Sequence, residues 1–247
     1  MGEVPGAIYH QPGLNWHIGT PGGNDCGGVL NFEQIAGLFN QPKAKLMSVI
    51  CSGNTSSPQH RERLKFARRL KDHFGCKIDF FGRGIATMAD KLEALGDYRF
   101  HVVLENCSRE HYFSEKLADC ILAGAYPIYY GCPNLDRYFP ENSYRRIDIR
   151  DFGDSASVIC GAVNGDLDRK FRPALLEARD LILHRYNLYP MLVSLVEGIE
   201  AGKYGPPNRT RDSQNPTLMP LTRANGSSSV RSALSGLAGM VWRKSKK

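Results

Sequence analysis

No stretch of the 247-residue chain approaches the 20 or so consecutive apolar residues that a membrane-spanning helix needs. The N-terminus, MGEVPGAIYHQPGLN, lacks the basic start and apolar block of a secretory leader. Together these absences lead us to expect a cytoplasmic protein. Seven cysteines are present, an odd number with no CxxC spacing, which argues for free thiols in a reducing compartment and against a disulfide framework. Seven histidines are scattered without HxxH or HExxH spacing, so no metal centre is expected.

Excess charge is also missing where a globular nucleic-acid binder would carry it. The formal charge is +7, and from Tyr204 onward there are eight basic residues against one acidic. The first 203 residues are therefore balanced, 24 against 24, and no nucleic-acid partner is expected for them. The basic segment 204–247 begins with Gly205-Pro206-Pro207, is rich in Ser, Thr, Asn and Pro, and reads as a disordered tail. Within it Val230, Leu234, Leu237 and Val241 recur at helical spacing ahead of Arg243, Lys244, Lys246 and Lys247. That pattern suits a short amphipathic helix lying on a membrane surface, although Gly236 and Gly239 weaken it and a solvated basic tail has the same charge.

What the chain does contain is concentrated in YRFHVVLENCSREHYFSEKLADCILAGAYPIYYGCP, Tyr98 to Pro133. Phe100, Val102, Val103 and Leu104 form one short apolar run and Tyr126 to Tyr130 another, as expected of strands buried in a parallel sheet. Between them Ser114 is a suitable N-cap, with Leu117, Cys120, Ile121 and Gly124 on one helical face. The segment is one βαβ unit whose polar residues gather at one end: Glu105, Asn106, Tyr112, Glu115 and Lys116. Ligands of parallel sheets sit beyond the carboxyl ends of the strands, where helix N-termini also point. An aromatic ring, carboxylates, an amide and a lysine there suit the base, ribose and phosphate of a nucleotide, although a Glu-Lys pair in a first helical turn is also a common solvated surface pair.

The string ENCSREHYFSEKLADCILAGAYPIYYGCP closely resembles the donor-binding motif of the family 10 glycosyltransferases, the α-1,3/1,4-fucosyltransferases. In that motif a strand ending in Glu-Asn precedes Tyr-x-(Ser/Thr)-Glu-Lys and then Pro-(Ile/Val)-x-x-Gly. Upstream, the strand Met47 to Ser52, the turn Ser52-Gly53-Asn54 and an arginine-bearing helix resemble the family as well, as do Gly82-Arg83-Gly84, Tyr138-Phe139-Pro140 and QPGLNWHIG from Gln11. The resemblance covers about residues 11 to 153. Arg63 fits the family's arginine through Phe66 and Leu70, with Arg61 as a competing choice.

The resemblance implies an α/β fold with a Rossmann-like parallel sheet, the donor-binding half of a GT-B glycosyltransferase. It implies transfer of fucose from GDP-fucose to a hydroxyl of an acceptor oligosaccharide with inversion, with no metal cofactor. Arg63 and Lys116 would neutralise the diphosphate, Glu115 would bind ribose hydroxyls, and Asn106 and Tyr112 would contact the nucleoside. The domain plan it suggests is 1–44 as a remnant or linker of the N-terminal acceptor domain, 45–203 as the GDP-sugar domain and 204–247 as the tail. Family members place a catalytic carboxylate in the N-terminal domain; the one candidate here is Glu3, in Gly2-Glu3-Val4-Pro5. The reading is thus of an N-terminally shortened chain with two functions open, a fucosyltransferase or a non-catalytic GDP-sugar-binding remnant. Asp166-Leu167-Asp168 resembles a metal-nucleotide DxD string, but its position before a helix favours N-capping. Asp154 is expected to cap a helix from Ser155 to Val163.

Overall fold

A computed structural model of the chain describes residues 13–19 and 30–203; Glu3 and the basic segment 204–247 lie outside the described residues. Five parallel strands form one sheet: β1 (Lys45–Ile50), β2 (Ile78–Phe81), β3 (Tyr98–Leu104), β4 (Tyr126–Tyr130) and the short edge strand β5 (Arg145–Arg146). Their order is β2-β1-β3-β4-β5. The α/β parallel sheet expected from the sequence is therefore present.

Alternation along β3 and β4 divides the core, because successive side chains of a strand point to opposite faces. Phe100, Val102, Leu104, Tyr126 and Ile128 pack with α2 (Pro58–Phe74) and α4 (Phe152–Asn164), while Val103 and Tyr129 pack with α1 (Phe32–Leu38), α3 (Glu115–Leu122) and α6 (Arg172–Leu181). Gln11–Leu188 form one compact unit, and residues from Tyr189 on fall in a second, whose described element is α7 (Leu188–Glu200). Among the described residues no helix is long and apolar enough to cross a membrane.

Local chemistry fixes the helix starts. Ser57 accepts from the His60 N–H and Pro58 occupies the first turn of α2, where a missing N–H costs nothing. Ser114 caps α3 as expected. The start of α4 differs from the sequence reading: Asp151 is the cap, accepting from the Asp154 N–H at 3.0 Å, and the helix begins at Phe152. Two aspartates three residues apart both suit a cap, and only the extended backbone at Asp151 decides between them.

The Asp166-Leu167-Asp168 string also departs from its expected role. Asp166 occupies the cap position of α5 (Leu167–Lys170) in a left-handed conformation, φ 47°, and its side chain makes no cap. Both aspartates instead grip Arg99 of β3, Asp168 Oδ2 accepting from Nε at 2.8 Å and Asp166 Oδ1 from Nη2 at 2.5 Å. The predicted strand at Met47 to Ser52 begins two residues earlier, at Lys45, although Cys51 N–H still extends the ladder to the Phe81 carbonyl.

Gly82 shows how tightly the sheet closes beside that point. Its φ of 149° is one an L side chain rarely adopts, and a Cβ there would fall on the Cys51 carbonyl oxygen.

Candidate functional site

The crossover from β1 runs through α2 to β2, and the crossover from β3 runs through α3 to β4 on the other face. The order therefore reverses between β1 and β3, and in parallel sheets such a reversal marks the crevice beyond the carboxyl ends of the strands where ligands usually bind. The segments that follow β1 and β3 at this end are the β1–α2 loop with the start of α2, and the segment 105–113 with the N-terminus of α3.

Glu105 follows the last residue of β3 and is fully buried at 0% exposure. Its N–H donates to the Tyr130 carbonyl at 2.9 Å, so the backbone is still in the ladder. Its carboxylate accepts from the Ser114 N–H and hydroxyl, each at 2.8 Å, and Lys116 Nζ stands 3.6 Å away. Burial pushes the Glu105 carboxyl above its ordinary range, with Lys116 and Ser114 opposing. A Cβ at Gly131 would come within 2.6 Å of the Glu105 Cγ, so the absence of a side chain there makes room for this carboxylate.

Ser114 in turn accepts from the Lys116 N–H at 3.3 Å and from Lys116 Nζ at 3.1 Å. A strand end, a helix start and a lysine are thus bound through one hydroxyl. Lys116 Nζ also reaches Glu115 Oε1 at 3.3 Å. Burial raises the Glu115 pKa, but Lys116 and then Lys91 outweigh it and hold the carboxyl below its usual range. Glu115 is therefore an ionised acceptor at neutral pH, suited to a pair of hydroxyls.

From the opposite face of the sheet comes Arg63, only 7% exposed, whose Nη1 donates to the Leu104 carbonyl at 3.2 Å. Its Nε is buried with no hydrogen-bond partner. No carboxylate among the described residues lies within ion-pair distance of this guanidinium. Arg61 points elsewhere: it is exposed and donates to the Thr55 carbonyl at 2.9 Å, bracing the loop. Of the two arginines, Arg63 is the one brought to the strand ends.

Tyr112 is half-buried, and burial first, then the charge of Glu105, raises its phenol pKa; Glu115 adds to this and Arg63 opposes it. The ring thus lies within electrostatic reach of both walls. Asn106 is exposed at the start of the loop, and His111 is turned to Tyr138 and Asn134. Glu3 lies outside the described residues. Among those residues no group of three or more His, Cys, Asp or Glu side chains is arranged to hold a metal ion.

Sequence reasoning passed over Lys91 and Asp119. Asp119 is 1% exposed in the middle of α3, and Lys91 donates to its Oδ2 at 2.8 Å. A carboxylate inside the apolar stretch LADCIL was the available signal, since a buried charge requires a partner. The crevice thus offers a buried guanidinium, an ammonium and a helix N-terminus for an anion, a carboxylate for hydroxyls, and a phenol ring for stacking.

Among curated proteins, Alpha-(1,3)-fucosyltransferase 4 of Bos taurus is 27% identical over 133 residues, 51% of this chain and 32% of that protein. Its Mus musculus counterpart is 31% identical over 133 residues, 51% of this chain and 30% of that protein. A putative fucosyltransferase-like protein of Arabidopsis thaliana is 37% identical over 67 residues, 26% of this chain and 13% of that protein. The chain spans about a third or less of the length of these relatives. Among solved structures, a crystal structure of alpha1,3-fucosyltransferase with GDP matches with a TM-score of 0.43 and 19% identity, over 62% of this chain and 50% of that one. Residues 40–160 match the model of the glycosyltransferase family 10 (fucosyltransferase) C-terminal domain.

Proposed function

We propose that the crevice between β1 and β3 binds GDP-fucose, and that this domain is the donor-binding half of a GT-B fucosyltransferase acting on an acceptor oligosaccharide. The observation that carries the reading is Arg63: a guanidinium buried to 7% exposure, with its Nε unpartnered, at the carboxyl end of the sheet. Such a group is costly to bury unless an anion completes it.

In this reading Arg63 and Lys116 hold the two phosphates, assisted by the N-terminus of α3. Glu115 accepts from the ribose hydroxyls, Tyr112 stacks on the nucleoside and Asn106 hydrogen-bonds to it. As the bond from the anomeric carbon to the diphosphate breaks, the negative charge growing on the leaving oxygen is met by cations already in place. The acceptor hydroxyl attacks from the opposite face, inverting the centre, and passes its proton to a carboxylate, for which Glu3 is this chain's candidate. The basic segment 204–247 would hold the protein at the cytoplasmic surface of a membrane.

Calorimetry with GDP, ADP and UDP tests the donor assignment: GDP is expected to bind at least about tenfold more tightly, a difference of about 1.4 kcal/mol, and equal affinities would refute it. Transfer of labelled fucose to lactosamine-type acceptors by wild type and Glu3→Gln tests the chemistry. Sedimentation with anionic vesicles, with and without 204–247, tests the membrane role.

A further inference from the structure

Lys91 lies in the turn Lys91–Ala94, between β2 and β3 and outside the family-like motif that supplies Glu115 and Lys116. Its backbone is firmly held. Asp90 accepts from the Leu92 N–H at 2.6 Å and from the Gly19 N–H at 3.1 Å, and Glu93 reaches back to the N–H groups of Ala89 and Asp90.

From this turn the Lys91 ammonium meets two carboxylates one helical turn apart on α3: Asp119 Oδ2 at 2.8 Å and Glu115 Oε1 at 3.9 Å. The two contacts differ in kind. Asp119 is 1% exposed, and its other oxygen accepts from the His17 N–H at 2.7 Å, so this carboxylate is fixed and its pairing with Lys91 is shielded from water. Glu115 is a quarter exposed, in the first turn of α3. Asp119 therefore fixes where the ammonium sits, and the ammonium biases where Glu115 sits. Lys116 approaches the same oxygen, Oε1, at 3.3 Å, so two cations share one side of the Glu115 carboxylate. In the proposed function Lys116 turns to the diphosphate, which leaves Lys91 as the cation still committed to Glu115.

We propose that Lys91 is a positioning residue that presents Glu115 to the ribose diol, making the site select ribonucleotides over nucleotides lacking those hydroxyls. Lys91 touches no part of the ligand in this arrangement; it acts through Glu115, and Asp119 acts through Lys91. The inference rests on the proposed GDP site and specifies how its sugar selectivity arises.

The test compares GDP with 2′,3′-dideoxy-GDP by calorimetry on the full chain. Wild type is expected to prefer GDP by roughly tenfold, the order of one charge-assisted hydrogen bond. Lys91→Met should shrink the preference to about twofold, chiefly by weakening GDP, and Lys91→Arg should recover most of it, as expected if one retained cation positions Glu115. Because Lys91→Met strands the buried Asp119 charge, the double variant Lys91→Met/Asp119→Asn removes that charge too and should show the same loss of preference with the wild-type melting temperature largely regained. Equal weakening of both ligands, or a preference unchanged in the variants, would overturn the positioning role while leaving the GDP site standing. A wild type that binds the two ligands equally, or neither, would overturn the ribose reading of Glu115 and this inference with it.

Discussion

The Arg63 guanidinium donates to the main-chain carbonyl of Leu104 at 3.2 Å, so the helix after β1 is tied to the last residue of β3 by the same side chain that faces the crevice. Arg63 thereby serves the fold through one nitrogen and has another, Nε, still unpartnered.

Arg63 and Arg61 should separate cleanly in binding. Arg63→Met is expected to cost about 1.5–3 kcal/mol of GDP affinity, the range for a hydrogen bond to a charged group. Arg61→Met, which loses only an exposed contact to the Thr55 carbonyl, should stay within about 0.5 kcal/mol. Arg63→Lys should recover little, because a point charge cannot reproduce the planar fork of donors. Calorimetry, with melting curves to verify folding, measures all three.

Lys116→Ala should weaken GDP binding by about 1.5–3 kcal/mol. It should also alter the protein without ligand, since Lys116 is the cation 3.6 Å from the buried Glu105 carboxylate. Removing it takes away the principal charge opposing the burial of Glu105, so that carboxyl should titrate higher still. Carbon-detected NMR of the Glu105 carboxyl would follow this directly.

His101 predicts an acid-labile fold. Its ring lies in the core with Nδ1 at 2.7 Å from Ser48 Oγ, and Ser48 donates to the Ala94 carbonyl, so the imidazole is the donor in the pair. Burial, with the Lys91 charge adding to it, lowers the His101 pKa to about 3. A folded-state pKa below the unfolded value of about 6.5 means the stability is fully present above pH 6.5 and is lost as pH falls toward 3, amounting to about 2–3 kcal/mol by pH 4.5. Urea unfolding at pH 7 and pH 4.5 should show this loss in wild type and a shallower one in His101→Gln. Equal slopes would contradict it.

Gly82 and Gly84 offer a matched pair for the packing argument. Both have positive φ, 149° and 80°, but a Cβ at Gly82 meets the Cys51 carbonyl whereas one at Gly84 meets open space. Gly84→Ala should cost about 1–2 kcal/mol for the left-handed backbone alone. Gly82→Ala adds a backbone collision at the end of β1 and should cost more than about 3 kcal/mol. Denaturant midpoints of the two variants decide.

The parts legible in the sequence were those written in local pattern. The apolar runs of β3 and β4, the Ser114 cap and the stripe of α3 follow from neighbours a few residues apart, and the parallel sheet follows from them. What stayed hidden depends on partners distant in sequence. Lys91 and Asp119 are 28 residues apart, and Arg99 meets Asp166 and Asp168 across 67 and 69. No periodicity marks such pairs; only the anomaly of a charge within an apolar helix face hints at Asp119. Arg63 was distinguished from Arg61 by its fit to the family pattern, whereas the physical distinction is its helical phase: it falls with Phe66, Ala67 and Leu70 on the buried side of α2. The choice between Asp151 and Asp154 as a cap turned on one backbone conformation that composition does not encode.

Because Glu105 and Ser114 clasp each other, the segment 106–113 enters and leaves through a single closed gate. Its two ends are fixed in space whatever lies between them. Variation at its exposed positions, Asn106 and Ser108 to His111, can therefore reshape the proposed nucleoside side of the site on a permanent frame, whereas Phe113, 1% exposed, belongs to the core shared with Val103 and Leu117 and has no such freedom. The clasp itself has no such latitude: a change at either Glu105 or Ser114 would release the loop, the helix start and the Lys116 ammonium together.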